Sequence, residues 1–105
     1  MNQLNQVIIR GIIGNARIQN ISGTDMARFS VATDYVFKNR SGETAIETTW
    51  HQVTAFKTDN MPDFSALVKG AGVEVEGRIR NQRYMRADGF EYMTSEILAQ
   101  KIKIY

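Results

Sequence analysis

The sequence predicts an all-β fold, a five-stranded Greek-key barrel with one short helix between strands 3 and 4, on three observations. Five segments rich in β-branched and aromatic residues alternate in polarity with the period of a strand. A single helix signal, over residues 59–70, falls between the third and the fourth. No repeat, linker or low-complexity tract interrupts the 105 residues, a length that holds one modest core, so 1–105 are expected to form a single domain. An open sandwich is the competing architecture, and the position of the one helix favours the barrel.

The first strand runs from Leu4 to Gly14, where Val7, Ile9, Gly11 and Ile13 alternate with Gln6, Ile8, Arg10 and Ile12. Its second face is partly apolar, so Ile8 and Ile12 need cover, which a partner subunit could supply. Gly11 and Gly14 suit a bulge or sharp bend on a strand shared by both sides of a small barrel, and a plain turn equally well. Ser22-Gly23-Thr24-Asp25 is a turn, and Met26 to Tyr35 form the second strand, with Ala27, Phe29, Val31 and Thr33 on one face. Tyr35, Phe37, Lys38 and Arg40 then run into Asn39, Ser41, Gly42 and Glu43, so a hairpin loop carries exposed rings beside positive charge. Such rings mark a contact site or local packing.

The third strand, Thr48 to Phe56, holds the only Trp and the only His. Alternation puts Trp50, Gln52, Thr54 and Phe56 on one side and Thr49, His51, Val53 and Ala55 on the other. The first side makes a poor core and a good contact surface: two large rings about 20 Å apart, at roughly 3.3 Å per residue, with two hydrogen-bonding groups between them. The helix signal follows, with Asn60 near its start, Pro62 in its first turn, Gly70 past its end, and Phe64, Leu67 and Val68 spaced to pack on the sheet. Along the fourth strand Val73, Val75 and Ile79 point one way and Glu74, Glu76, Arg78, Arg80, Gln82 and Tyr84 the other. Ala87-Asp88-Gly89 offers a hairpin turn, Glu91 to Glu96 return, and Ile97 to Ile104 make the final strand.

Composition narrows the function classes. No cysteine, one His and scattered carboxylates supply neither a metal cluster nor a Cys/His pair, no serine sits in a nucleophile elbow, and no phosphate-binding glycine motif occurs. No enzyme and no cofactor are therefore expected, and packing at a core or interface outweighs acid–base work for His51. No apolar run reaches the roughly 18 residues of a membrane span, and the first residues lack the features of an export signal, so a cytoplasmic protein is expected. The net charge is only +2, but Arg78, Arg80, Arg83 and Arg86 form a stripe free of acidic residues with Tyr84 inside it. A charge run is ordinarily a solvated face; the embedded ring shifts the balance. Trp50, Phe56, Tyr84 and Phe37 are rings interleaved with Lys38, Arg40, Lys57, Lys69, Arg78, Arg80, Arg83 and Arg86. Rings stack on bases and cations meet phosphates, a combination that points to unpaired nucleic acid read without sequence preference.

The same residues carry a resemblance. Val7-Ile8-Ile9-Arg10-Gly11, Phe29-Ser30-Val31-Ala32-Thr33, Thr49-Trp50-His51-Gln52-Val53, and Lys69-Gly70 followed by Val75-Glu76-Gly77-Arg78-Ile79 look like the bacterial single-stranded DNA-binding protein (SSB) family. The likeness covers nearly the whole chain, and its most specific part is Trp50-His51 with Phe56 five residues on. It implies an OB-fold that assembles, usually as a homotetramer, and coats single-stranded DNA in replication, recombination and repair, in the bacterial cytoplasm with the nucleoid. It also implies base stacking at Trp50, Phe56, Tyr84 and, less closely matched, Phe37, basic contacts at Lys69, Arg80 and Arg83, and a subunit interface at His51. Tyr84 and Phe37 stand where the family often has Trp, which implies weaker stacking. Family members usually continue into a tail with an acidic tip that recruits replication and repair proteins; a chain ending at Tyr105 resembles a tailless variant, with such proteins as candidate partners although the usual acidic tail is absent. The alternative is a primosomal replication protein B-like adaptor that binds DNA and replication proteins.

Overall fold

Five long strands close into a barrel in the order β1-β2-β3-β5-β4 in the computed structural model, which describes residues 2–105: β1 (Val7–Ile21), β2 (Thr24–Lys38), β3 (Thr44–Phe56), β4 (Gly72–Met85) and β5 (Glu91–Ile104). All neighbours are antiparallel except β3 and β5, which meet in parallel over just Val53–Ile97 and Thr54–Leu98. The all-β Greek-key barrel expected from the alternation is therefore present. Its core holds Ile9, Ile13, Phe29, Val31, Val53, Val73, Val75, Ile97 and Ile102, the inward set of each strand.

β1 belongs to both halves of the barrel. Residues Val7 to Ile12 pair with β4, while Ile12 and Ile13, and then Ala16 to Ile21, pair with β2. The ladder slips between Ile13 and Ala16, a bulge at Gly14 and Asn15, as the glycine there suggests. The bulge is pinned by buried Ser30, whose hydroxyl accepts from the Asn15 amide at 3.2 Å and donates to Asn15 Oδ1 at 3.1 Å.

Four local expectations are corrected. The helix over 59–70 shrinks to a single 3₁₀ turn, Phe64–Ala66, because so short a segment cannot offset the cost of nucleating a helix. Asp63 rather than Asn60 caps it, and Val68 lies exposed while Phe64 and Leu67 are buried. Ile79 is 48% exposed rather than core, because the β1–β4 ladder ends at Val7 and Gly77 and only the Asn5 side chain meets its backbone on that side. The return and final strands are one continuous β5 with a register slip opposite Glu76 and Gly77. Last, Tyr35 and Phe37 belong to the β2–β3 ladder, opposite Glu47 and Ala45; only Asn39 to Glu43 turn, held by Asn39 Oδ1 accepting from the amides of Ser41 and Glu43.

Asp63 fixes the start of the 3₁₀ turn by accepting from the Ser65 amide at 2.9 Å, and this bond, from a donor that favours the ionised form, holds its carboxyl below the usual carboxylate range. A group whose folded pKa is depressed contributes stability above its unfolded pKa, and that contribution disappears as pH falls through the folded value. Asp63→Asn is therefore expected to lower the melting temperature near neutral pH and to change it little in acid below the carboxylate range; equal effects at both would remove the cap's electrostatic role.

Candidate nucleic-acid interface

Strand pairing lays the outward side chains in rows across the barrel. Trp50 lies opposite Ala32, Gln52 opposite Ser30 and Thr54 opposite Arg28, while Arg28 in turn faces Arg17 of β1. On the far side of β3 the rows continue through β5 to β4, where Leu98 opposes Arg78, Glu96 opposes Arg80 and Tyr92 opposes Tyr84. A groove follows these rows: Trp50, Lys69, Gly14 and Asn15 line one end, Gln52, Arg17 and Arg28 the middle, and Tyr84, Thr94, Ser95 and Glu96 the other end.

Trp50 is 56% exposed, and its ring packs against the β1 bulge: a Cβ on Gly14 would sit 2.4 Å from Trp50 Cζ3. The missing side chain is what lets the indole rest there. Tyr84 stacks on Tyr92 with centroids 5.5 Å apart, and its hydroxyl donates to Gln82. Phe56 is exposed at the end of β3, beside Met26. These three rings fall on the outer face as the alternation predicts. Phe37 does not join them. It stacks on Tyr35, centroids 6.1 Å apart, on the opposite face of the β2–β3 ribbon from Trp50.

The predicted cations divide more sharply. Lys69 lies beside Trp50 with its side chain exposed. Arg78 is exposed in the row of Arg28, and Lys38 and Arg40 are exposed at the β2–β3 tip. Lys57, by contrast, donates to the carbonyls of Thr58 and Met61, each at 3.1 Å, and so clamps its own loop. Of the arginine stripe, Arg80 pairs with Glu96 at 2.7 Å, Arg83 with Glu91 at 3.6 Å and Arg86 with Asp88 at 3.5 Å. A stripe free of acidic residues along β4 thus meets acidic residues from β5 and the turn once the hairpin folds. Thr54, expected on the contact surface, is buried beneath Glu96 and donates to its Oε2 at 2.7 Å.

Arg17, Arg28, Asn15 and Gln52 are among the groove residues that the sequence reading did not single out as site residues. Arg17 and Arg28 oppose each other in the ladder, and neither has an acidic partner among the described residues. Like charges directly opposite are destabilising, so a counter-charge from outside the chain would relieve them. Its parity, opposite to that of Ala27, Phe29 and Val31, is the signal that could have found Arg28.

On the other side of β1, Ile8 and Ile12 are more than half exposed, next to Arg10, which is bound to Glu74 at 2.7 Å and lies 5.4 Å from the centre of the Tyr105 ring. Glu74 and then Tyr105 raise the pKa of the Arg10 guanidinium further above its ordinary value. His51 is half-buried, with Nε2 2.9 Å from Thr33 Oγ1. The described residues contain no group of His, Cys, Asp or Glu that could hold a metal, and no helix long and apolar enough to cross a membrane.

The profile of the Single-strand binding protein family matches residues 4–105. The chain belongs to that family. Among curated members, the single-stranded DNA-binding protein of Neisseria meningitidis is 32% identical over 103 residues and that of Xanthomonas campestris 33% identical over 103 residues, each alignment covering 96% of this chain. The chain spans 59% and 60% of their respective lengths. Among solved structures, a Plasmodium falciparum SSB in complex with ssDNA aligns at a TM-score of 0.79 and 23% identity, covering all of this chain and 96% of that one. A deletion mutant of the single-stranded DNA binding protein from Thermus aquaticus aligns at 0.74 and 22% identity, over 97% of this chain and 50% of that one. Both share the family's OB-fold barrel.

Proposed function

We propose that this chain coats single-stranded DNA without reading its sequence, as one OB-fold domain that assembles with copies of itself, as a tetramer, in DNA replication, recombination and repair. The observation that carries the reading is the groove itself. Two exposed rings, Trp50 and Tyr84, stand at its ends, and an opposed, acid-free arginine pair, Arg17 and Arg28, stands between them. Bases of an unpaired strand stack on the rings, phosphates relieve the arginines, and neither contact depends on base identity. Gln52 and Asn15 offer hydrogen bonds along the way. Lys69, Arg78, Lys38 and Arg40 extend the positive track, Phe56 and Phe37 offer further rings, and Ile8 and His51 lie at subunit contacts. Family membership favours this coat over a primosome-type adaptor, and the reading assigns the chain no catalysis, no metal and no cofactor. The same reading puts the chain in the cytoplasm with the nucleoid.

Titration with poly-dT tests the proposal. A stacked indole is expected to lose much of its fluorescence, and Trp50 is the only one; neither quenching nor salt-dependent binding would leave the proposal without support. Arg28→Gln is expected to move two quantities in opposite directions. Relief of the Arg17–Arg28 opposition raises stability by a few tenths to about 1 kcal/mol, while the slope of log K against log salt becomes shallower by about 0.7, one phosphate contact on a single strand. Urea unfolding and binding at several salt concentrations measure the pair.

A further inference from the structure

One carboxylate lines the groove among the described residues, and it is held from two sides. Glu96 Oε1 accepts from Arg80 Nε at 2.7 Å and Oε2 accepts from the Thr54 hydroxyl at 2.7 Å. Thr54 is buried, at the two-residue parallel seam where β3 meets β5. The Glu96 side chain lines the groove and retains 10% of its exposure, while that of its partner Arg80 retains 29%.

We infer that Glu96 keeps Arg80 out of phosphate contact and so limits the number of phosphates the groove neutralises; the inference rests on the single-stranded DNA reading above. Arg80 commits its Nε to this short charge-assisted bond, and a phosphate approaching its Nη groups meets the charge of a nearly buried carboxylate together with that of the guanidinium. The carboxylate offsets the attraction, which opposes binding there. Glu96 cannot follow Arg80 outward, because Thr54 holds its second oxygen to the sheet. The phosphates are therefore carried along the Arg17, Arg28 and Lys69 side, and bases cross Gln52 and Glu96. Arg80, a phosphate-binding candidate from sequence, becomes a positioning residue for the carboxylate, and the groove binds more weakly and with less salt dependence than its arginines would suggest.

The test is Glu96→Gln, which preserves shape and removes the charge. With folding checked by circular dichroism, E96Q is expected to bind a dT oligonucleotide more tightly at low salt, with a slope of log K against log salt steeper by about 0.7. Adding Arg80→Gln in the same chain is expected to abolish that gain. An unchanged or shallower slope in E96Q overturns the inference, and so does a gain that survives the second substitution. Should E96Q not fold, the native chain still decides: on addition of dT oligonucleotide the Arg28 guanidinium resonance is expected to shift and that of Arg80 to stay in place, and a comparable shift at Arg80 overturns the inference. A native chain that binds no single-stranded DNA speaks against the functional reading itself. Tight native binding with an unaltered E96Q slope speaks only against the role of Glu96.

Discussion

Replacing Gly11 with alanine is expected to lower the unfolding free energy by about 3 kcal/mol or more, at or beyond the upper end of ordinary overpacking. The added Cβ would lie 2.0 Å from the carbonyl oxygen of Ala32 and 3.0 Å from Val31 Cγ1. Both ladders lock the clash in place. Gly11 pairs with Val73 of β4, and the next residue, Ile12, pairs at once with Gly72 of β4 and Ala32 of β2. β1 cannot step back from β2 without tearing its pairing to β4, so the barrel closes only with no side chain at this position. Gly72 supplies the control, since a Cβ there comes no nearer than 3.6 Å to any neighbour outside its own stretch of chain. Gly72→Ala is expected to stay within about 0.5 kcal/mol of the native chain. Urea unfolding followed by circular dichroism compares the two, and similar losses would refute the close-approach explanation.

Trp50→Ala is expected to weaken binding to a dT oligonucleotide by about 1–3 kcal/mol, roughly 5- to 150-fold. The indole packs against Gly14 and stays exposed at the Lys69 end of the groove, so it stacks a base with little rearrangement. It carries no charge, and the salt slope should be that of the native chain. Its surface position also means that stability should shift by no more than about 0.5 kcal/mol. The loss at Phe37→Ala is expected to be smaller, because Phe37 shares its ring stack with Tyr35 on the other face of the ribbon. Anisotropy of a labelled oligonucleotide at several salt concentrations reads both variants. Unchanged affinity in Trp50→Ala would remove the stacking contact from the mechanism.

Period-two alternation made the barrel legible, because each strand's inward set is apolar and a one-residue slip would expose it. It also placed Trp50, Phe56 and Tyr84 outside, since their parity is opposite to that of Val53, Val73 and Val75. What alternation does not carry is which strands become neighbours. Arg80, Arg83 and Arg86 look unpaired along β4, and only the return of β5 brings Glu96 and Glu91 against the first two. Arg17 and Arg28 are eleven positions apart and become a pair only through the β1–β2 register, which the bulge at Gly14 and Asn15 sets. The helix signal erred for a different reason: punctuation by Asn60, Pro62 and Gly70 marks where a helix could begin and end, not whether so short a segment repays nucleation. Ile79 kept its inward parity and lost its cover, because the β1–β4 ladder ends at Gly77.

Photo-crosslinking with a 5-iodouracil-substituted oligonucleotide, followed by digestion and mass spectrometry, tests most directly whether an unpaired strand runs from Trp50 to Tyr84. Adducts are expected on the peptides bearing Trp50 and Tyr84, lost in the presence of excess unlabelled dT oligonucleotide. Adducts confined to the Ile8, Ile12 and Tyr105 side of the barrel, with Trp50 and Tyr84 unmodified, would contradict it.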